Sequence, residues 1–168
     1  MVLHRVSYGD ANEFVKAVKD SEALHEQWVF PPKTPAAFKS FVDKCTKPTA
    51  RCYLLRASAS KKKLVGYVSV SQIQPKDYER AVLGYATFAP YQEQGFMTAG
   101  LRLVIDSIFD EFDLHRLEAE IQPGNEASRR LVKRLGFHFE GLSVGLVKIQ
   151  GEWKDHERWA FINPAHKA

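Results

Sequence analysis

Several residues of this chain have types and spacings that could do chemistry. The segment Tyr91-Gln92-Glu93-Gln94-Gly95-Phe96 follows a run rich in Val, Leu, Tyr, Thr and Phe and precedes an apolar pattern of helical period. A strand therefore passes through a short glycine loop into a helix. Such a junction leaves the backbone N–H groups of Gln94, Gly95, Phe96, Met97 and Thr98 near the positive end of a helix dipole, a site suited to a phosphate. Strand–loop–helix junctions with one glycine are common, so the loop alone does not define an activity. Further along, Glu118 and Glu120 stand two apart in His115 to Ile121 and share one face of a strand. A carboxylate buried there must be paired or protonated. Each is thus either a proton acceptor or, for Glu118, the structural partner of an arginine such as Arg116 or Arg102. His156, next to Asp155, supplies an imidazole, the side chain that changes charge near neutral pH. Asn125 and Ser128 lie one turn apart at the start of a helix. The six histidines are scattered without H-x-x-x-H spacing, and no C-x-x-C occurs, so no metal site is expected.

These residues need elements to position them. Ala81 to Pro90 reads as the strand before the glycine loop, and Met97, Leu101, Val104, Ile105, Ile108, Phe109 and Phe112 mark one side of a helix of about four turns. His115 to Ile121 is a strand, and a crossover through a helix requires it to lie parallel to the first. Asn125 is a good N-cap and Gly136 a good stop for a short helix with Ala127, Leu131 and Leu135 inward. Phe137 onward and Trp153 to Ile162 form a closing hairpin about Gln150-Gly151.

Upstream, Leu3 to Ser7 is a short strand, and Asp10 with Glu13 makes a capping box for a helix to about Ala23, with Phe14, Ala17, Val18 and Leu24 inward. The prolines of His25 to Pro35 exclude a long regular element. That loop, with Trp28, Phe30 and Phe38 nearby, either walls a pocket or covers the core. Ala36 to Cys45 is a helix after Thr34-Pro35. Arg51 to Ser58 and Leu64 to Gln72 are strands around a basic turn, Ser58 to Lys63, and precede a second turn, Gln74 to Arg80.

A length of 168 residues with 45% hydrophobic composition suits one core, so residues 1–168 are expected to form a single domain. The net charge of +4 favours polyanionic partners: a phosphate-bearing cofactor, an acidic protein surface or nucleic acid. No apolar run approaches membrane-span length and no secretory signal is evident. With only Cys45 and Cys52, the plain expectation is a cytoplasmic protein in which Cys52, inside an apolar run, is a buried thiol.

Three motifs together resemble one family. YQEQGFMTAGLRLVIDSIF, LHRLEAEIQPGNEASRRLVKRLGFHFEG and GEWKDHERWAF are similar to the GNAT superfamily of acyl-CoA N-acyltransferases, and within it to the branch that acetylates ribosomal-protein alanine and serine termini, the RimJ and RimL type. The likeness covers residues 81 to 162 closely and the earlier chain loosely. It implies a mixed α/β fold, a mostly antiparallel sheet with a splayed parallel central pair flanked by helices. It also implies acetyl-CoA as cofactor, its pyrophosphate on Gln94 to Thr98 and its pantetheine arm along Thr87 to Ala89. Met97 stands where the family prefers Gly or Ala, so its side chain must turn away from the phosphates.

The chemistry implied is direct transfer of an acetyl group to a primary amine. It requires an oxyanion donor, for which an N–H near Phe88 or Ala89 is expected, and a proton for the departing thiolate. Asn125 and Ser128 match the family's N-x-x-S positions, which makes Ser128 the proton donor unless the pair only opens the helix. Glu118, Glu120 or His156 would act on the amine. Of Arg129, Arg130, Lys133 and Arg134, one or two would meet the cofactor's 3'-phosphate unless the face is simply solvated. The resemblance favours a protein N-terminus as acceptor. The alternatives are a small-molecule amine (a polyamine, an amino-acid-like antibiotic or an aminoglycoside), or a non-catalytic module that binds acyl-CoA or RNA. No aromatic RNA-binding signature accompanies the basic helix, so nucleic acid is not the expected partner. Oligomeric state stays open between monomer and homodimer.

Overall fold

The computed structural model describes residues 1–57 and 63–166. One sheet of seven strands runs through it, in the order β1-β2-β3-β4-β5-β7-β6. The strands are β1 Val2–Arg5, β2 Arg51–Arg56, β3 Leu64–Gln74, β4 Arg80–Thr87, β5 Arg116–Ile121, β6 His138–Ile149 and β7 Glu152–Ile162. Every neighbouring pair is antiparallel except β4 and β5. That exception follows from the intervening helix, which carries the chain back before β5 begins. The basic turn expected at Ser58 to Lys63 falls almost wholly outside the described residues.

Helices cover the two faces of the sheet. On one face α4, Phe96–Phe112, buries Met97, Leu101, Val104, Ile105 and Ile108 against Leu55, Val68, Leu83, Leu117 and Ala119. On the other, α1 (Ala11–Asp20) and α3 (Pro35–Cys45) bury Phe14, Val18, Phe38 and Val42 against Leu54, Tyr67 and Phe88. The ring of Phe14 lies 4.8 Å from that of Phe38 and 5.5 Å from that of Phe88. The 3.6-residue pattern after Gly95 thus reports the face of α4 that the sheet buries.

The N-terminal helix departs from expectation. The capping box is formed by Ser7 and Asp10, with the Ser7 N–H donating to Asp10 Oδ2 at 2.9 Å, and a 3₁₀ turn at Tyr8–Asp10 precedes α1. Glu13 is unavailable for capping because its carboxylate holds Arg56 at 2.7 Å. The helix also ends early, at Asp20. The Ser21 hydroxyl donates back to the Ala17 carbonyl at 2.6 Å, a local bond that competes with helix continuation. A separate turn, α2 Glu22–His25, then leaves Leu24 exposed and buries His25.

Cys45 and Cys52 are joined in a disulfide with Cα atoms 5.4 Å apart, so Cys52 is not a free thiol. The bond ties the end of α3 to the start of β2 across a turn of five residues, 46–50, a closeness that linear spacing does not reveal. In α5, Glu126–Leu135, the buried side chains are Val132 and Leu135 rather than Ala127, whose position in the first turn leaves it exposed.

Gly100 sits where α4 presses on β2: a Cβ there would lie 2.4 and 2.8 Å from the methyl carbons of Leu55. Leu55 is fully buried and has little room to move. Gly100→Ala should therefore lower stability by about 1–3 kcal/mol despite its higher helix propensity, as overpacking outweighs propensity. Urea denaturation reads this directly; unchanged or raised stability would show that the helix can slide.

Candidate active site

Strands β4 and β5 pair only from Arg80 opposite Arg116 to Leu83 opposite Ala119. Beyond that point β4 stays with β3 as far as Thr87, and β5 stays with β7 as far as Ile121. A cavity of about 540 Å³ opens between them. The Phe88 N–H donates to the Val65 carbonyl at 2.9 Å. Alternation along an antiparallel ladder then turns the backbone groups of Tyr85 and Thr87 toward the cleft. The N–H groups of Phe88 and Ala89 are both taken, the second by Ser21 Oγ at 2.9 Å, and the Phe88 side chain lies fully buried in the core. Neither amide is free to bind an oxyanion or a cofactor in this structure; the edge of β4 that faces the cleft is Tyr85 to Thr87.

At one mouth of the cleft stands the start of α4. Gly95 adopts φ +77°, a left-handed conformation glycine enters without strain, and the first helical bond runs from the Ala99 N–H to the Gly95 carbonyl. The N–H groups of Phe96, Met97 and Thr98 thus have no partner within the helix. Met97 turns its side chain into the core, clear of the loop. The Gln94 side chain turns back to donate to the Pro90 carbonyl at 2.7 Å, bracing the loop. Arg130 and Arg134 line the same cavity, whereas Arg129 is held by Glu126 and, at 3.1 Å, by Glu157.

In the cleft's wall, Ser128 Oγ lies 2.6 Å from Tyr85 Oη. Asn125 caps α5 by accepting the Ser128 N–H at 3.1 Å, which orients the serine toward the tyrosine. Burial pushes the Tyr85 hydroxyl up to about 12, partly offset by its bond to Ser128, so it stays protonated at neutral pH. Tyr85 was not picked out from the sequence because a tyrosine in a strand reads as an ordinary β-former. Its alternation with Leu83, on the face that α4 and α5 cover, was the available signal.

The carboxylates on β5 separate in role. Glu118, 4% exposed, does not line the cleft. Arg80 at 3.1 Å, Arg116 at 2.9 Å and Arg158 at 2.6 Å surround it, so it is the centre of an ion-pair network set apart from the cleft. Glu120 does line the cleft, as does His156. The buried His156 ring donates from Nδ1 to the Lys154 carbonyl at 3.0 Å, which leaves its Nε2 as the lone-pair nitrogen. Of the proline-rich loop, His25 and Trp28 reach the cleft, while Phe38 belongs to the core and Phe30 is exposed.

The sequence matches the pattern of the acetyltransferase (GNAT) domain family over residues 1–138. The chain therefore belongs to the GNAT acetyltransferase family. Among curated relatives it is 41% identical over 107 residues to the probable N-acetyltransferase YjcK of Bacillus subtilis, covering 64% of this chain and 59% of that one. To the ribosomal protein uS5-alanine N-acetyltransferase of Escherichia coli it is 30% identical over 103 residues, 61% of this chain and 53% of that one. The matches thus span little more than half of those relatives. Two solved structures extend the fold to nearly the whole chain. Ribosomal-protein-S5-alanine acetyltransferase from Vibrio fischeri superposes with TM-score 0.84 at 25% identity, over 99% of this chain and 94% of that one. Spermidine N-acetyltransferase SpeG from Vibrio cholerae superposes with TM-score 0.78 at 18% identity, over 96% and 95%. Among the described residues no helix is long and apolar enough to cross a membrane.

His25 braces the cleft by donating from Nε2 to the Thr87 carbonyl at 2.8 Å. Burial holds it below the ordinary imidazole value of 6.5, against the opposing pull of the Thr87 bond. The unfolded chain therefore takes up a proton at 6.5 that the folded chain resists, and stability should fall as pH drops below that value. Urea titrations across this range should show a steeper acid loss for the wild type than for His25→Gln. Parallel curves would remove His25 as the cause.

Proposed function

We propose that this protein transfers the acetyl group of acetyl-CoA directly to a primary amine, the N-terminal α-amine of a protein. The observation that carries the reading is the Tyr85–Ser128 hydroxyl pair inside the cleft, with unpaired helix N–H groups at one mouth and Glu120 with His156 on the opposite face of the sheet.

The residues present suit the cofactor. The Phe96, Met97 and Thr98 amides would hold the pyrophosphate, the cleft-facing edge of Tyr85 to Thr87 would pair with the pantetheine amides, and Arg130 or Arg134 would meet the 3'-phosphate. When bound, acetyl-CoA supplies an activated acyl group and a thiolate leaving group.

The protein's own groups supply the rest. Glu120 attracts the acceptor's ammonium to the mouth of the cleft. His156 Nε2, fixed as a lone pair, accepts the proton that makes the amine nucleophilic. Of the Ser128 and Tyr85 hydroxyls, one donates to the other and the second donates to the departing sulfur. The walls hold amine and thioester in register and exclude water. A ribosomal protein terminus is favoured by the likeness to the uS5-alanine enzyme. A polyamine is the competing acceptor, suggested by the shared fold with SpeG.

Ser128→Ala should lower kcat by a factor of about 10²–10⁴ with acetyl-CoA affinity unchanged, and Tyr85→Phe should act in the same direction. The double variant should be little worse than the worse single one if the hydroxyls work as a unit. Full turnover in Ser128→Ala would remove it from proton delivery. His156→Gln should reduce kcat/KM for the amine by about 10²-fold or more. These rates come from thiol release with acetyl-CoA and a panel of N-terminal peptides and polyamines, and calorimetric titration gives the cofactor affinity. No binding of acetyl-CoA would overturn the reading.

A further inference from the structure

The ion-pair centre at Glu118 opens on a second cavity, of about 440 Å³, that acetyl transfer leaves unused. Arg80, Arg116, Glu118, Glu140 and Arg158 line it. It lies on the sheet face that carries Glu120, because Glu118 and Glu120 are two residues apart on β5 and Arg158 stands directly across from Glu120 on β7. Three guanidiniums meet two carboxylates there: each arginine pairs with Glu118, and Arg116 also holds Glu140 at 2.6 Å. Among the described residues the third positive charge is answered by Glu120 alone, 3.9 Å from Arg158 Nε.

Hydrogen-bond donors are also in excess. Arg80 uses Nε on Gln74 and Nη1 on Glu118, which leaves Nη2. Among the described residues, Arg116 and Arg158 each use Nη2 and leave Nη1. The buried Nε atoms of both have no hydrogen-bond partner among the described residues, although that of Arg116 lies 2.9 Å from Glu118 Oε1. The three side chains are 23–27% exposed, reachable by a ligand yet partly withdrawn from water, where an added anion gains more than on an open surface.

We propose that this cavity is an anion subsite of the acceptor, receiving a carboxylate that the acceptor carries one or two residues beyond its amine. The inference rests on the amine-acetylation reading and narrows its substrate class. Glu118 and Glu120 are about 7 Å apart along the strand, and an extended peptide separates alternate side chains by the same about 7 Å. An ammonium at Glu120 therefore places an Asp or Glu at the second or third position over the guanidiniums. The two ends cooperate: an ammonium that engages Glu120 withdraws the carboxylate answering Arg158, and the incoming carboxylate takes its place. A polyamine would instead bring a second cation toward three guanidiniums and be rejected.

The test compares thiol-release rates for peptides that differ only in Asp or Glu, Asn or Gln, and Lys at positions two and three, with spermidine and free glutamate alongside. Acidic peptides should exceed their amide isosteres in kcat/KM by about ten-fold or more, with the lysine peptide and spermidine below both. Acetylation of free glutamate as well as acidic peptides would assign the subsite to small amino acids too. Arg80→Gln, which leaves Arg116 and Arg158 on Glu118, should bring the acidic-to-amide ratio near one, with folding checked by thermal melting. Equal rates for acidic and amide peptides, an unaltered ratio in Arg80→Gln, or spermidine as the best acceptor would overturn the subsite and leave acetyl transfer standing. No thiol release with any amine would overturn acetyl transfer itself, and the subsite with it.

Discussion

The structure depends on the parting of β4 from β5 after four paired residues. Each strand keeps its other neighbour, β3 for β4 and β7 for β5, so the backbone groups released by the parting are confined to one short gap. A gap of unpaired strand edge inside a domain is costly unless something fills it. Here the protein answers only part of that demand, with His25 on the Thr87 carbonyl. The remainder is left open along the cleft, where the proposed cofactor's amides would pair with it, and the start of α4 is aimed at the same gap because the crossover from β4 begins there.

At the closed end of the gap, the Glu118 network joins the two halves. Arg80 comes from β4, Arg116 from β5 itself, Arg158 from β7, and Glu140 from β6. Burying a carboxylate is expensive, and three guanidiniums offset that cost while fixing where four strands stand relative to one another. The packing at the other side of β4 is equally close. A Cβ on Gly66 would lie 2.6 Å from the Ala86 carbonyl oxygen and 2.9 Å from Met97 Cε, so glycine there lets β3, β4 and the first turn of α4 meet. The cleft is thus held open between two tightly fitted regions.

The proposed roles divide across the sheet in the same way. Helix α4 and the Tyr85–Ser128 pair lie on the face that suits a phosphate-bearing cofactor, while Glu120, His156 and the arginine cavity lie on the face that suits the acceptor. In the proposed reaction, a through-sheet cleft would let cofactor and acceptor approach from opposite sides and meet at the gap, as direct transfer requires.

The amino-acid sequence by itself determined the elements that follow local rules. The helical period after Gly95, the parallel relation of β4 to β5, the Asn125 cap, the Gly136 stop and the closing hairpin all came from periodicity, capping and chain handedness, and each is in place. The motifs from 81 to 162 also carried the family. Only the tertiary structure decided which of two carboxylates on one strand face is structural, because Glu118 and Glu120 differ in what other strands bring to them. It decided that Phe88 and Ala89 spend their amides on Val65 and Ser21, that Tyr85 meets Ser128, and that Cys45 reaches Cys52. Each of these is a contact between groups distant in sequence or across a turn, and such contacts are set by how elements pack, about which local spacing is silent.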